Sequence, residues 1–235
     1  MNNIRLFFKE SLSNNLIGKL NKNQSHYLLK VMRIKKGDNF NLFNENGEWV
    51  AHFDSIKSGL INFKLGKQIR SKEHKNQLWL AFSPIKSNFF NFMIQKSTEL
   101  GVTNFIPIIF NRTVVRKINL DRLRKIVVEA SEQSNRINVP NIEEPTTLQK
   151  FLNKNQENIN LIFTDLNSKI TKLDKSKLIT KSNCIIIGPE GDFSESERVE
   201  ISKFKDLYKL SLGENILRAE TAAISALSIV GYELN

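Results

Sequence analysis

The sequence predicts an α/β protein in two parts, a small N-terminal β-barrel followed by a larger domain with a mostly parallel sheet. In the first third, short alternating runs separated by turn residues are typical of the strands of a small barrel. In the rest, short apolar runs alternate with amphipathic helices, which is the pattern of parallel strands covered on both faces. Positive charge is also concentrated in the first part, so we expect the two parts to have different roles.

The composition is that of an ordinary globular protein and excludes several other classes. The chain has 235 residues, of which 40% are hydrophobic and 25% charged, so it is not disordered, collagen-like or a disulfide scaffold. No apolar run approaches the roughly 20 residues of a membrane-spanning helix, and the N-terminus lacks the apolar core of a signal peptide. The single cysteine, Cys184, has no partner for a disulfide or a metal site. We expect a cytoplasmic protein without a membrane segment or a metal.

The positive charge is unevenly distributed. The whole chain carries a net charge of +11, and residues 1–75 hold 14 lysines and arginines against 6 acidic residues, which leaves +8 in that third. Such a surplus favours contacts with the phosphates of a nucleic acid. On charge alone, simple solubility or a lysine-rich genome explains it equally well.

The first part is expected to consist of short elements. Turn residues at 44–47 and 58–59 separate the strands, and the polar stretch 70–76 is expected to be a linker. The domains are therefore placed at residues 1–73 and 74–235. The predicted elements, in chain order, are an N-terminal segment at 4–8, a helix at 25–33, and strands at 39–43, 49–56 and 60–65.

The second part is expected to alternate strands and helices. Gly101 suits the position directly after the end of a helix, and Pro107 weakens the assignment of its segment to a central strand. The predicted strands are 78–82, 104–110, 160–164, 183–187 and 207–212, and the predicted helices are 89–100, 120–134, 194–204 and 218–233.

The strongest local signal is a strand that runs into a glycine-rich turn and then a helix at residues 185–194. Gly188 and Gly191 permit positive φ and a close approach of backbone to a ligand, and Ser194 with Glu197 has the spacing of a capping box. Ligands of open α/β sheets bind outside the carboxyl ends of the strands, at such turns. The turn matches neither of the common phosphate-binding glycine motifs. A plain strand–helix connection without a ligand stays open.

A second junction of the same kind lies at residues 212–223. A strand ends near Gly213 and a helix follows that is rich in alanine, serine and glycine. This composition indicates either a well-packed final helix or a helix pressed against a threaded loop or a second subunit. Two such junctions would line one crevice.

Taken singly, the further polar segments at 95–102, 112–116 and 129–136 indicate only polar helix faces or loops. Together with the two junctions, they resemble the bacterial 16S rRNA uridine-N3 methyltransferases, a family of the SPOUT (trefoil-knot) class. Two positions depart from the family pattern. Asp192 stands where a further glycine is usual, although Asp tolerates positive φ better than most residues. Ala219 stands where threonine is usual. The resemblance runs the whole chain and is carried by 5–8, 26–33, 96–102, 129–136, Gly188-Pro189-Glu190-Gly191 and Leu217-Arg218-Ala219-Glu220-Thr221-Ala222.

The resemblance implies a PUA-like barrel followed by a knotted, Rossmann-like domain, a homodimer, S-adenosylmethionine as cofactor, and a uridine in the 16S rRNA of the small ribosomal subunit as substrate. Arg218 is expected to stabilise negative charge on the uracil, and Glu220 is a candidate base. RNA contacts are expected from Arg5, Lys30, Arg33, Arg112, Arg116 and Arg136. The residues expected to bind the cofactor are Thr164, Asp165, Gly188, Pro189, Glu190, Gly191, Leu212, Gly213, Ile216 and Leu217.

Two alternatives stay open beside this function. A SPOUT ribose 2′-O-methyltransferase would need similar cofactor turns, so the turns do not discriminate against it. A non-catalytic RNA-binding protein that has lost its cofactor is disfavoured by the intact Gly188, Glu190, Gly191, Arg218 and Glu220.

Overall fold

The chain divides into two compact units. The structure, a computed structural model, describes residues 4–72, 77–164, 173 and 175–234. The first unit is Met1–His74 with Ser131–Val139, and the second is Lys75–Ala130 with Pro140–Asn235. A single boundary at 73/74 does not provide for the segment 131–139, which packs with the first unit. In the described ranges, no helix is both long and apolar enough to cross a membrane.

The first unit is built on a mixed sheet in the order β1-β3-β4-β5-β2. Its described elements are β1 (Arg5–Phe7), β2 (Ile17–Lys19), α1 (Lys22–His26), a π-helical turn (Tyr27–Val31), β3 (Asn39–Asn44), β4 (Gly47–Lys57) and β5 (Leu60–Ser71). β1 pairs with β3 in parallel, and the other ladders are antiparallel. The short β2 was not predicted.

Helix α1 contacts two strands of this sheet that are not neighbours, β1 and β5. Asn21 and Gln24 form a capping box, which starts the helix before the predicted residue 25. The Gln24 side chain donates to the Phe7 carbonyl of β1 at 2.8 Å, and the Ser25 hydroxyl accepts a hydrogen bond from the Ile61 N–H of β5 at 3.1 Å. The helix therefore links β1 to β5 around an aromatic and aliphatic core.

The stretch predicted to be a linker begins as a strand. β5 continues to Ser71, because Arg70 is held there by an ion pair at 3.3 Å to Glu48 of β4 and a hydrogen bond at 2.9 Å to the Asn135 carbonyl. A polar sequence therefore does not exclude a strand where the backbone ladder and a paired side chain such as Arg70 hold it. Residues 73–76 of the predicted linker lie outside the described residues.

The second unit is a parallel sheet with helices. Its strand order is β12-β10-β11-β6-β7-β8, and β9 also pairs with β7. The described elements are β6 (Leu78–Phe82), α2 (Ser87–Glu99), β7 (Asn104–Ile109), α3 (Leu120–Gln133), β8 (Asn141–Ile142), β9 (Thr146–Thr147), α4 (Leu148–Asn155), β10 (Ile159–Thr164), α5 (Lys175–Leu178), β11 (Ser182–Ile187), α6 (Glu195–Ser202), β12 (Leu207–Leu210) and α7 (Ala219–Leu234).

The central strands of this sheet are buried on both faces, as the sequence predicts. Leu161 and Ile162 of β10 and Ile185 and Ile186 of β11 are all fully buried. Pro107 sits inside β7 without disrupting it. β7 pairs with β8 at residues 104–105 and with β9 at 108–109, so Pro107 falls in the interval between the two ladders.

Four carboxyl ends lie side by side at one edge of the sheet. Thr164 of β10 is paired with Leu210 of β12, and Ile187 of β11 with Phe82 of β6. Because β10 and β11 are themselves neighbours, the loops that follow β12, β10, β11 and β6 start from one place. A ligand site is expected there.

Candidate functional site

A cavity of about 620 Å³ lies at this edge of the second unit. It is formed by the loops after β6, β11 and β12, by Thr164 at the end of β10 and by the first turns of α7. Its walls are mostly apolar, with a few polar groups, which is typical of a small-molecule site. The lining residues are Ile85, Lys86, Phe89, Val114, Thr164, Ile187, Gly188, Pro189, Glu190, Asp192, Phe193, Leu210, Leu212, Asn215, Ile216, Leu217, Arg218, Ala219, Glu220 and Ala222.

The turn after β11 needs a glycine at 188 for a packing reason. A Cβ at Gly188 would lie 2.7 Å from the ring of Phe193. That ring is held edge-on between Phe110 and Phe163, at centroid distances of 5.2 and 5.1 Å. Any side chain at 188 would therefore disturb an aromatic cluster directly under the cavity.

The positive φ in this turn belongs to Asp192, although Gly188 and Gly191 would permit it more readily. Asp192 has φ +63°, whereas neither Gly188 nor Gly191 has a positive φ. The Asp192 carboxylate stabilises this conformation, since it accepts a hydrogen bond from the Phe193 N–H at 2.8 Å and pairs with Arg198 at 2.6 Å. An aspartate can therefore replace the usual glycine here.

Two further contacts fix the same turn. Ser194 caps α6, and Glu197 completes the predicted capping box. Arg112, which was expected to contact RNA, donates from Nη1 to the Gly191 carbonyl at 2.9 Å and to the Phe193 carbonyl at 3.5 Å. Part of the Arg112 guanidinium is thus used to hold the turn.

The second junction also borders the cavity, through residues on both sides of its glycine. Gly213 has φ +120°, so the chain reverses there in a conformation that favours glycine. Leu212 precedes this bend and lines the cavity, as do Ile216 and Leu217 after it. Ile216 is 84% exposed, so its side chain is available to a ligand in the cavity.

Seven of the residues expected to bind the cofactor lie together in the cavity wall. Gly191 and Gly213 are not among the residues that line it. Asp165 lies outside the described residues. The seven are Thr164, Gly188, Pro189, Glu190, Leu212, Ile216 and Leu217.

The sequence reading missed the part of the wall that follows β6. Ile85, Lys86 and Phe89 line the cavity, as does Val114 from the segment after β7. β6 adjoins β11 in the sheet but is separated from it by about a hundred residues in the chain. The sequence does show that the predicted strand 78–82 ends in a loop. It does not show that this strand lies beside β11, which is what brings its loop to the cavity.

Arg218 and Glu220 both reach the cavity. Arg218 is exposed, and its guanidinium carbon lies 5.3 Å from the centroid of the Phe89 ring. Among the residues that the structure describes, it makes no ion pair with Glu214 or Glu220. Glu220 is half-buried in the first turn of α7. A fixed cation and a carboxylate thus border the same apolar space.

Arg5, which was predicted to contact RNA, is buried and bound to other residues of the first unit. It is 7% exposed, and its guanidinium forms a two-pronged ion pair with Glu48, with both N–O distances 3.0 Å. It also donates to the carbonyls of Ser131, Glu132 and Arg136. With its donors used in this way, Arg5 ties the segment 131–139 to the sheet of the first unit.

The other predicted RNA-contact residues differ in exposure. Lys30, Arg33 and Arg116 are exposed. Arg136 is half-buried, and burial lowers the pKa of its guanidinium to about 10, which leaves it charged at neutral pH. Cys184 is fully buried, and burial raises the pKa of its thiol, so it is not a reactive group. In the described part, no cluster of His, Cys, Asp or Glu side chains could hold a metal ion.

The comparisons with known proteins cover both units. Residues 72–231 match the model described as RNA methyltransferase domain, and residues 20–65 match the one described as RNA methyltransferase PUA domain. A Rickettsia conorii protein named Ribosomal RNA small subunit methyltransferase E is 37% identical over 208 residues, which are 87% of this chain and 85% of the relative. The chain belongs to this family. The predicted resemblance to small-subunit rRNA methyltransferases is therefore confirmed.

Solved structures of the family agree along nearly the whole chain. The Neisseria gonorrhoeae methyltransferase E, which is bound to S-adenosyl methionine, has a TM-score of 0.87 at 26% identity and covers 97% of this chain and 96% of that one. A Legionella pneumophila protein with bound SAM has a TM-score of 0.82 at 27% identity and covers 99% and 98%. The predicted fold class, a PUA-like barrel with a SPOUT-class α/β domain, is confirmed.

Proposed function

We propose that this protein methylates N3 of a uridine in the 16S rRNA of the small ribosomal subunit, with S-adenosylmethionine as methyl donor. The observation that carries the proposal is the cavity itself. Six residues predicted from two separate junctions, together with Thr164 at the end of β10, line one space at the carboxyl edge of the sheet, and the Neisseria relative is bound to the same cofactor.

The residues of the cavity fit this cofactor. Its volume of about 620 Å³ lies within the range of about 300–1,000 Å³ for small-molecule sites. Backbone groups of the turns at 188–191 and 212–217 would bind a purine ring, and the side chains of Thr164 and Glu190 add polar contacts. When bound, S-adenosylmethionine supplies an electrophilic methyl group.

Arg218 is proposed to stabilise the reacting uracil. N3 of uridine carries a proton at neutral pH, so negative charge develops on the uracil oxygens as that proton leaves. A guanidinium beside the base stabilises such charge, and it does so more strongly once the bound substrate has displaced water from the site. Arg218 is suited to this role because, within the described residues, neither Glu214 nor Glu220 neutralises it. Glu220, two residues after Arg218 and also in the cavity wall, is the candidate to accept the proton from N3.

The base must leave its helix before this chemistry, because N3 is masked by base pairing. Enzymes that modify bases generally take the target out of the stack. The first unit is proposed to hold the surrounding RNA through its positive charge, with Lys30 and Arg33 among the contacts, and Arg116 is proposed to contact RNA from the second unit. These three side chains are exposed.

A homodimer in the cytoplasm is also proposed. Phe92 of α2 is 47% exposed, and Tyr232 of α7 is 82% exposed. The two helices pack against each other, so these side chains lie on one pair of elements that a second copy could cover. Light scattering at micromolar concentration should give twice the mass of 27.1 kDa, and a monomer would contradict the proposal.

Mass spectrometry of rRNA nucleosides tests the function directly. Digests of 16S rRNA from cells with and without this gene should differ in N3-methyluridine, and purified protein with S-adenosylmethionine should restore it on small subunits that lack it. A difference in a 2′-O-methylated nucleoside would establish the alternative ribose methyltransferase. No difference in any nucleoside would leave only RNA binding.

A further inference from the structure

A second cavity, of about 360 Å³, lies in the first unit, where no cofactor is expected. It is lined by side chains of the π-helical turn, of the loop after it and of β4. Four of these are apolar, Leu29, Ile34, Phe53 and Ile56, and two are lysines, Lys35 and Lys36.

The apolar part of the cavity has a buried floor and an exposed wall. Phe53 is only 3% exposed, whereas Ile56 of the same strand is 52% exposed. The volume is near the lower end of the range of about 300–1,000 Å³ for small-molecule sites. A flat apolar group of one ring or two suits such a space, whereas a protein helix needs a longer groove.

The surroundings of the cavity are strongly positive. Residues 29–37 contain four basic residues, two of them Lys35 and Lys36, and no acid. The nearest acids in the chain, Asp38 and Asp54, keep their negative charge, because their hydrogen bonds come from the neutral Lys35 backbone N–H and Ser55 hydroxyl. The four basic residues still outnumber these two carboxylates. The cavity therefore favours a ligand that combines a flat apolar group with negative charge.

We propose that this cavity binds one unstacked base of single-stranded RNA, a base other than the methylated uridine, while Lys35 and Lys36 contact the phosphates beside it. Sequence-tolerant binding of single strands combines a basic groove with side chains on which bases stack, most often aromatic rings. Here aliphatic side chains above the buried Phe53 ring would contact the faces of the base. The inference rests on the proposed function, because it takes RNA as the substrate. The cavity would be an additional RNA-binding site, and it would help to hold the strand while the target base is out of its helix.

The test measures RNA binding by the full-length protein with fluorescence anisotropy. The probes are a labelled single-stranded oligouridylate and the same ribose-phosphate chain without bases. Ile56→Ser removes apolar wall, and its matched control is Ile17→Ser, because Ile17 is 73% exposed on β2 of the same unit. The double variant Lys35→Glu/Lys36→Glu is matched by Lys19→Glu/Lys22→Glu, since all four lysines are exposed.

Two different responses are expected from the two kinds of variant. Ile56→Ser should bind the oligouridylate about fivefold more weakly and the chain without bases as the wild type does, because only a base occupies the cavity. Lys35→Glu/Lys36→Glu should weaken both probes and reduce the salt slope by about 0.7 for each lost phosphate contact. Ile17→Ser should change affinity less than twofold. Lys19→Glu/Lys22→Glu should weaken both probes, because it lowers the positive charge of the unit, but by less than Lys35→Glu/Lys36→Glu does.

An equal response of both probes to Ile56→Ser, or no response of either, would overturn the inference. Equal losses of oligouridylate affinity in Ile17→Ser and Ile56→Ser would overturn it too, because they would mean that any exposed isoleucine of the unit has the same effect. Binding of anionic lipid vesicles that is lost in the lysine variant, with RNA binding retained, would assign the cavity to another ligand. The proposed function fails on a different measurement. It would be contradicted if the wild-type protein did not methylate small subunits, whatever the variants do in the binding assay.

Discussion

Arg5 and Arg218 both lie against an aromatic ring, but the two arginines are in opposite situations. Arg5 in the first unit has its guanidinium carbon 4.4 Å from the Phe43 ring centroid, and Glu48 and three carbonyls use its donors. Arg218 in the second unit stacks on Phe89 at 5.3 Å and is open to the cavity. The same residue type in the same kind of contact is structural in one unit and available to a ligand in the other.

The difference shows what decides the role of an arginine. A guanidinium has five N–H donors, and one whose donors are satisfied by buried partners has little left for a ligand. One that rests on a ring in an open cavity keeps its donors for substrate while the ring limits its motion. Charge counting over the first 75 residues includes Arg5 with the RNA contacts, although its charge is neutralised within the unit.

The largest effect on stability is expected from Arg5→Ala. It leaves the Glu48 carboxylate buried without its main partner, so the free energy of unfolding of the first unit should fall by about 3–5 kcal/mol. Trp49 lies in this unit and Trp79 in the other, so Trp49 fluorescence in a Trp79→Phe background reports denaturation of the first unit alone. The exposed Lys9→Ala is the control. A loss below about 1 kcal/mol would put Arg5 back among the candidate RNA contacts.

The largest effect on the reaction is expected from Arg218→Ala. Loss of a donor to developing negative charge typically costs about 10²–10³ in rate. Single-turnover methylation of small subunits should slow by that factor, while the melting temperature and cofactor affinity stay near those of the wild type. If Arg218 instead only stabilises the turn, the melting temperature should fall and the rate should drop only in proportion.

Gly188→Ala and Gly191→Ala form a matched pair on the cofactor turn. A Cβ at 188 would meet the Phe193 ring at 2.7 Å, whereas one at 191 would lie 3.4 Å from Cβ of Arg112, away from the cavity. Calorimetry should show S-adenosylmethionine affinity reduced about tenfold or more in the first variant, because displacement of Phe193 disturbs the floor of the site. The affinity of Gly191→Ala for S-adenosylmethionine should fall less than threefold. The reverse order would place the cofactor elsewhere.

Phe89→Leu should have the smallest effect of the series. The contact of Phe89 with Arg218 is partly exposed, and such cation–π contacts contribute about 0.5–1 kcal/mol. The single-turnover rate should fall by about two- to fivefold with cofactor affinity unchanged, and Phe89→Tyr should retain the rate. Equal losses in the leucine and tyrosine variants would mean that the ring does not position Arg218.

Much of the site could be predicted because its backbone constraints are local. Gly101 at the end of α2 and the capping box of Ser194 and Glu197 each act within a few residues, so the sequence shows them directly. The two glycine junctions follow buried strands, and parallel strands bring their carboxyl ends to one edge. The departure at Asp192 is local as well, since its partners Phe193 and Arg198 lie within six residues of it.

The rest depends on partners that are distant in the chain. The contribution of Phe89 follows from the adjacency of β6 and β11, and the role of Arg5 from Glu48 and from carbonyls more than a hundred residues away. β2, β8 and β9 are two or three residues long, too short for a hydrophobic pattern to reveal them. Long-range pairing decided each of these outcomes.

Chemical rescue of Arg218→Ala tests most directly that Arg218 acts as a free cation in the cavity. Guanidinium chloride, well below denaturing concentrations, should restore part of the lost single-turnover rate, because the alanine leaves room for the ion beside Phe89. Sodium chloride at the same ionic strength should not restore it, and wild type and Arg5→Ala should show no gain. A variant whose rate stays at the unrescued level with guanidinium, or rises equally with sodium chloride, would contradict the account.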